Sequence, residues 1–380
     1  MKICNIVPFL APHFGGVVDR CFHITKELIK MGHSVTLCTS DYQFDDGYAG
    51  KMGNIDLHVF KSYFGRFCIT PGLKNFLELN ADQYDVFHLM NNYSYVNVVA
   101  SEICYRKKIP YIYSAMGSLP VMSRSFFRKH LFNKLIGKKI VRRAARLCAI
   151  TEQEVNQYLS YDHKINRDNI VKLPNAIEDS YDERISCNLF RQHYDIPLDS
   201  FLILFVGRLE YVKGVDLLIK AFAQLYKNHA QLYLAIVGPD FGEQDKLVFL
   251  IEKYGLKDRI IMTGPLYGED KSAAYAGSNI LVVPSRWENM SIVALEAASW
   301  KLPVVITDTS GFPEIETEQS GLVVDSSVTG IAEGIEKILA NPAEYGNMRV
   351  NARQMVKKFY LWNVVGIQLE NMLESIRVKD

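Results

Sequence analysis

The sequence lacks the features that would insert a chain into a membrane, cross-link it or attract nucleic acids. Its first apolar run, MKICNIVP, is too short for a signal-peptide core, and no later run approaches the length of a membrane span. The seven cysteines all lie in the first half and include no CxxC pair, a pattern typical of reduced core thiols. The formal net charge is only +1, which gives no reason to expect nucleic-acid binding. We therefore expect a cytoplasmic protein with no nucleic acid among its partners.

Two sequence motifs that bind cofactors or metals are also absent. No GxGxxG follows the first predicted strand, so the fingerprint of a dinucleotide-binding enzyme is absent. No DxD run is present to hold a metal ion. We therefore expect no cofactor, no metal site and no metal requirement, with basic residues supplying the positive charge that the chemistry needs.

The sequence does contain two series of alternating strands and helices. Its 380 residues suit two domains that each bury a core, and polar residues around 174–200 predict the linker. We assign 1–185 to an N-terminal domain, 186–360 to a C-terminal domain, and 361–380 to a helix that packs back on the N-terminal domain. Apolar, β-branched runs predict strands at 1–7, 34–39, 56–61, 85–90, 110–115, 147–150, 170–173, 201–206, 231–237, 259–263, 279–283, 303–306 and 321–324.

A strand, loop and helix within 284–303 concentrate polar groups. Glu288 falls at the mouth of the predicted helix, and Glu296 follows about two turns deeper. The first backbone amides of this helix are those of Asn289, Met290, Ser291 and Ile292. Helix amides and their positive dipole end favour a phosphate, while the carboxylates favour sugar hydroxyls, so the combination predicts a sugar-nucleotide site. The alternative is that both glutamates are ordinary charges of a solvated helix.

The turn after the strand at 201–206 carries positive charge. Arg208 and Lys213 lie in the segment GRLEYVKG, at the start of the next predicted helix. Arginine offers a planar fork to a diphosphate and lysine a point charge, so together they would neutralise a nucleotide leaving group. The alternative for these cations, taken alone, is a solvated basic loop.

In the first half, the glycine pair Gly15-Gly16 joins the first strand to its helix. Two glycines let a backbone approach a ligand closely, although an ordinary tight turn would also explain them. His13 lies in the same loop and His88 near the end of the strand at 85–90. Both are expected at the carboxyl edge of the sheet, either in contact with a ligand or as satisfied structural histidines.

The motifs of the second half resemble, in order and spacing, those of family 4 of the retaining glycosyltransferases with the GT-B fold. They are GR and KG within 207–214, PS at 284–285, E-x7-E at 288–296 and GxPE at 311–314. The resemblance covers nearly the whole chain. It implies an α/β fold of two doubly wound Rossmann-like domains facing a central cleft, in which the first domain binds the acceptor and the second the donor.

By this resemblance, Arg208 and Lys213 would bind the donor diphosphate, Glu288 the donor sugar hydroxyls, and Glu296 the ribose. Gly16 would approach the phosphates or the sugar. Glu288, Arg208 and Lys213 would be the catalytic residues, and the amides that follow Glu288 would help to bind the donor.

Two positions depart from the family pattern. Met116 stands where many members have a histidine, which puts a histidine contact to the transferred sugar in question. Ala176 stands where an Asn-Gly pair is common, a milder change because Asn175 can itself adopt the turn.

Retaining transfer of a sugar from a UDP- or GDP-sugar to a glycan acceptor is the function that the resemblance implies. One alternative is an epimerase or hydrolase of the same fold, which release of free sugar without an acceptor would favour. Another is a non-catalytic sugar-nucleotide-binding protein, against which the intact cationic and acidic pairs argue.

A basic segment at 124–146 predicts the location of the acceptor. It contains no acidic residue, and its lysines and arginines interleave with apolar residues at helical spacing. This pattern predicts reversible binding to an anionic membrane surface and a lipid-linked saccharide acceptor, as in the assembly of a bacterial surface polysaccharide such as lipopolysaccharide. The alternatives are a core-facing helix with a solvated basic side, and a soluble acceptor.

Overall fold

The computed structural model describes residues 1–11, 14–53, 55–119 and 126–376; His13, Arg124 and Ser125 lie outside the described residues. The described chain divides into two compact units. The first unit consists of Met1–Asn175 and Trp362–Asp380, and the second of Ala176–Leu361. The division lies between Asn175 and Ala176, whereas the sequence predicted it between 185 and 186.

A parallel sheet forms the centre of the first unit. Within the described residues its seven strands are β1 (Lys2–Ile6), β2 (Ser34–Ser40), β3 (Asp56–Phe60), β4 (Val86–Met90), β5 (Tyr111–Ser114), β6 (Arg146–Ala149) and β7 (Ile170–Lys172). Their order across the sheet is β3-β2-β1-β4-β5-β6-β7. Every residue of β4 is buried, as expected for a parallel strand covered on both faces. The order changes direction between β1 and β4, where doubly wound sheets bind ligands.

Helices connect these strands. They are α1 (Gly16–Lys30), α2 (Asp46–Gly50), α3 (Pro71–Asn80), α4 (Tyr95–Lys107), α5 (Phe126–Phe132), α6 (Lys138–Arg143) and α7 (Glu152–Tyr161), with one turn of π-helix at Asn133–Gly137 between α5 and α6. α1 buries Val18, Cys21 and Leu28 on one face. It begins after Gly15, whose φ of 71° is in the left-handed region that glycine adopts without strain.

The second unit repeats this architecture. Within the described residues its six parallel strands are β8 (Phe201–Val206), β9 (Leu232–Val237), β10 (Ile260–Gly264), β11 (Ile280–Val283), β12 (Val304–Thr307) and β13 (Gly321–Val324), in the order β10-β9-β8-β11-β12-β13. The helices are α8 (Asn188–His193), α9 (Val215–Leu225), α10 (Gln244–Lys253), α11 (Gly268–Gly277), α12 (Ile292–Ser299), α13 (Glu314–Thr317), α14 (Val328–Ala340) and α15 (Pro342–Phe359). Ile203, Leu234, Phe222 and Ile335 belong to one buried core between the sheet and its helices.

The last helix, α16 (Trp362–Glu374), returns to the first unit. Trp362 stacks on the His23 ring of α1, with ring centres 5.3 Å apart. Glu370 Oε2 lies 2.6 Å from His33 Nε2, and Val365 and Leu369 are buried. α16 is therefore part of the packed interior of the first unit.

Candidate active site

The ligand edge of the second sheet lies at β8 and β11. These strands are neighbours, with Leu204 opposite Leu281, while β9 and β10 lie on one side and β12 and β13 on the other. The order across the sheet changes direction here, so the loops after β8 and β11 form the crevice. Gly214 lets the loops touch, because its φ is 68° and a Cβ at this position would lie 1.9 Å from the Pro284 carbonyl oxygen.

An ion pair joins the two loops. Lys213 Nζ donates to Glu288 Oε1 over 2.9 Å, and the two side chains are 20% and 17% exposed. Ser285 Oγ donates to the other Glu288 oxygen over 3.2 Å, and the Glu288 amide donates to the Thr309 carbonyl over 3.1 Å. The carboxylate is thus fixed beside an ammonium group in a partly desolvated place, where charge interactions are stronger than at the open surface.

Arg286 supports the turn that carries Lys213. Its guanidinium donates to both Asp216 oxygens over 2.8 and 2.9 Å and to the Tyr211 carbonyl over 2.7 Å, and its amide donates to the Val212 carbonyl over 2.8 Å. Burial acts to raise the pKa of Asp216, but hydrogen bonds from Arg286 and Lys220 outweigh it and leave the pKa below its ordinary value. Asp216 therefore stays ionised as the partner of Arg286.

Glu296 lies deeper along α12 and contacts α11. Lys271 Nζ donates to Glu296 Oε1 over 2.8 Å, and the Tyr275 hydroxyl donates to Oε2 over 2.6 Å. Burial raises the pKa of Tyr275 well above its ordinary value, and the charge of Glu296 adds to this rise. The phenol therefore keeps its proton and remains a donor to the carboxylate.

Arg208 follows β8 and is more exposed than Lys213, at 45% against 20%. Its guanidinium lies 3.2 Å from Glu210 Oε2 and 5.0 Å from the centre of the Phe241 ring. An exposed ion pair of this kind contributes little free energy. The exposed guanidinium is therefore accessible to an anionic ligand.

The helix that follows Glu288 begins at Ile292, one position later than the sequence predicted, with Ser291 as its N-cap. Ser291 Oγ is buried and accepts from the Ala294 amide over 3.3 Å, so this side chain caps the helix. Met290 is buried as well, and Asn289 is partly exposed. The role of residues 289–291 as donor-binding amides stays a prediction.

In the first unit, Gly16 is the first residue of α1, at the carboxyl end of β1. His88 is buried on β4, and its Nε2 lies 2.7 Å from Ser114 Oγ. Burial, and secondarily the charge of Arg20, lower the pKa of His88 to about 3. His88 is thus a neutral, satisfied structural residue. Met116 is buried with a left-handed φ of 53°.

The residues that support the predicted site were not evident from the sequence. Arg286 and Asp216 position the Lys213 turn, while Lys271 and Tyr275 contact Glu296. Arg286 lies two positions before Glu288, within the stretch 284–303 that the sequence marks as functional. This proximity could have identified Arg286 as a site residue. The partners of Glu296 come from a helix whose sequence pattern carries no comparable signal.

Two family models match the chain. A family model described as "Glycosyltransferase Family 4" matches residues 14–181, and one described as "Glycosyl transferases group 1" matches residues 188–355. The two models together span most of both compact units.

Individual relatives are similar over nearly the whole chain. One subunit of the phosphatidylinositol N-acetylglucosaminyltransferase of Homo sapiens is 24% identical over 386 aligned residues, covering 100% of this chain and 77% of the human one. The crystal structure of HepE from Anabaena in complex with UDP aligns with a TM-score of 0.81 at 19% identity, covering 99% and 100% of the two chains. WaaG, a glycosyltransferase involved in lipopolysaccharide biosynthesis, aligns with a TM-score of 0.72 at 21% identity, covering 99% and 100%.

At these identities the two solved structures bear on the fold alone, which is GT-B. The family models and the curated relative extend the likeness to the sequence, in the same two halves that carry the motifs. The chain therefore belongs to the family 4 (group 1) glycosyltransferases and is a glycosyltransferase enzyme.

Proposed function

We propose that this enzyme transfers a sugar from a nucleotide-sugar donor, with retention of anomeric configuration, to a lipid-linked saccharide at an anionic membrane surface. The observation that carries the donor side is the Lys213–Glu288 pair at the point where the second sheet reverses its strand order. A cation for phosphate and a carboxylate for sugar hydroxyls are fixed side by side there, beside the first amides of α12.

In this proposal Lys213 and Arg208 neutralise the charge that develops on the departing diphosphate. Glu288 accepts hydrogen bonds from hydroxyls of the donor sugar, and Glu296 does the same for the ribose. Preorganised charges in a partly desolvated site stabilise a transition state more than mobile ones in water do, because they need no reorganisation during the reaction. The anomeric carbon takes up the oxygen of the acceptor hydroxyl as its bond to the diphosphate breaks, and the hydroxyl proton passes to the departing diphosphate.

We expect transfer without a metal ion, since the two cations can stabilise the leaving group as Mg²⁺ does in other enzymes. Activity measured with the correct donor is therefore expected to be unchanged by excess EDTA. Loss of activity in EDTA that Mg²⁺ or Mn²⁺ restores would contradict this expectation.

The acceptor side of the proposal rests on the basic helix, residues 126–143. Phe127, Leu131 and Leu135 are exposed and recur every four residues, so they share one face of the helix. Arg128, Lys134 and Lys139 are exposed beside them, and the segment has no acidic residue.

An apolar stripe flanked by cations has the composition of a helix that lies in the interface of an anionic bilayer. No helix among the described residues has the length and apolar character needed to cross a membrane. Surface contact through the basic helix is the mode of membrane binding that we propose.

Two relatives support this acceptor class by their names. The human relative is named for phosphatidylinositol, a lipid, and WaaG is described by its part in lipopolysaccharide biosynthesis. We therefore propose assembly of a bacterial surface polysaccharide as the setting. HepE was solved with UDP, which favours a UDP-sugar over a GDP-sugar as the donor.

A thermal-shift comparison of UDP-, GDP- and ADP-sugars tests the donor. A UDP-sugar at concentrations far above its Kd is expected to raise the Tm by several degrees, since a ligand that binds only the folded state stabilises it. The Lys213→Ala variant is expected to lose this shift, whereas Lys246→Ala, which removes an exposed lysine on α10, is expected to retain it. No shift with any donor would count against the proposed donor class, and an equal shift in both variants would count against the placement of the donor at Lys213.

A further inference from the structure

A short hairpin at Tyr63–Ile69, which we call the aromatic hairpin, presents an unusual surface in the first unit. Phe64, which follows the paired residue Tyr63, is 81% exposed, and Tyr63 and Phe67 are also exposed. Lys61 and Arg66 flank these rings, and no acidic residue occurs between Asp56 and Glu78. The acid at this place is Asp41, which accepts from the amide and the hydroxyl of Ser62 at the base of the hairpin over 2.7 and 2.6 Å. The hairpin thus presents exposed apolar rings beside cations, and the basic helix likewise presents apolar side chains beside cations.

Hydrogen bonds within the hairpin fix its conformation. Tyr63 and Ile69 exchange both backbone hydrogen bonds at 3.0 Å, and the Cys68 thiol donates towards the Gly65 carbonyl over 3.5 Å. Phe64 has a left-handed φ of 61°, a conformation that bulky residues rarely adopt and that persists only where the surroundings impose it. The backbone thus holds this ring outward at a local cost in free energy.

Ring contacts tie the hairpin to two other places. Phe67 packs edge to face on Phe132 of the basic helix, with centres 6.5 Å apart. The Arg66 guanidinium lies 5.7 and 5.6 Å from the ring centres of Phe9 and Phe14, in the loop that leads to Gly16. The hairpin therefore bridges the basic helix and the glycine loop at the carboxyl end of β1.

We propose that the aromatic hairpin is a second membrane contact, with Phe64 inserted at the boundary between headgroups and acyl chains of an anionic bilayer. This inference rests on the proposed membrane contact of the basic helix and adds a separate inserting element to it. Phe64 supplies apolar area, while Lys61 and Arg66 remain at the level of the lipid phosphates. Arg66 contacts the rings of the glycine loop, so a bilayer bound at Arg66 would lie close to this loop. The loop would then face an acceptor that is carried by a lipid.

Partitioning of the full-length protein onto vesicles of phosphatidylglycerol and phosphatidylcholine tests the inference. Phe64→Ala is expected to lower the partition coefficient by about tenfold, because the variant no longer buries most of a phenylalanine side chain in the hydrocarbon. Leu79→Ala is the matched control, because Leu79 is 82% exposed on the same unit but adjoins Glu78; it is expected to bind like the wild type.

A Phe64→Trp variant reports insertion directly. Relative to the wild type, its additional emission is expected to shift to the blue on anionic vesicles and to be quenched by phospholipids brominated on the acyl chain. Suppose that the wild type binds, that Phe64→Ala binds equally well and that the Phe64→Trp emission does not shift. The hairpin then does not insert, although the basic helix still binds.

If the wild type itself fails to bind, the proposed membrane contact is wrong and the hairpin inference is overturned with it. A dimer that Phe64→Ala dissolves, without any effect on vesicle binding, would instead assign the hairpin to contact between copies.

Discussion

Lys213→Ala and Glu288→Ala are each expected to reduce kcat for sugar transfer by at least about a hundredfold, because each removes a preorganised charge from the transition state. Both side chains lie on loops at the sheet edge, at 20% and 17% exposure, so the fold is expected to persist. Steady-state kinetics with the donor identified by thermal shift, together with circular dichroism of each variant, measure both effects.

A second Lys–Glu pair in the same unit provides the control. Lys246 Nζ lies 2.6 Å from Glu243 Oε1, but its side chain is 70% exposed. Alanine at either position removes the same chemical groups outside the candidate site and is expected to leave kcat unchanged. Near-wild-type turnover of Lys213→Ala or Glu288→Ala would refute the site assignment.

The triple variant with Arg128, Lys134 and Lys139 changed to glutamate is expected to lose binding to anionic vesicles. Each cation near an anionic leaflet contributes about 1 kcal/mol, so removing three lowers the partition coefficient by about a hundredfold, and the new negative charges lower it further. Co-sedimentation with anionic and zwitterionic vesicles, at low and at high salt, measures the change. The wild type is expected to bind only anionic vesicles and to be released by salt.

Changing Lys227, Lys253 and Lys358 to glutamate alters the net charge equally at exposed positions of the second unit and is expected to leave binding intact. If the first triple variant still binds, or if the wild type stays in the supernatant with anionic vesicles at low salt, the membrane proposal fails. A soluble acceptor would then be favoured.

The sheets of this protein could be predicted well because parallel strands buried on both faces are continuous apolar runs. The strands predicted at 201–206 and 321–324 coincide with β8 and β13. The start of α12 was displaced by one residue because Ser291 caps the helix with its own side chain. Whether a serine caps a helix or begins it depends on its local backbone geometry, which the spacing of apolar residues does not reveal.

The partners of charged residues could not be predicted, because they come from distant parts of the chain. In the sequence, Arg142 and Arg143 belong to the continuous basic segment at 124–146. In the structure Arg142 pairs with Asp162 at 2.5 Å, and Arg143 pairs with Glu102 at 2.8 Å. These two cations are occupied within the protein, which is why the charge-reversal variant uses other positions. The Lys271 contact to Glu296 was hidden for the same reason.

The place of α16 has a consequence for how the protein matures on the ribosome. The second unit is continuous in sequence from Ala176 to Leu361, whereas the first is completed only by residues from Trp362 onward. The side chains that fill the last part of the first interior, among them Leu369 and Met372, are thus synthesised after the whole of the second unit. Domains of a growing chain generally fold in the order in which they emerge, but here the first unit must wait for residues that follow the second. The order of synthesis and the order of completion are therefore opposite in this enzyme.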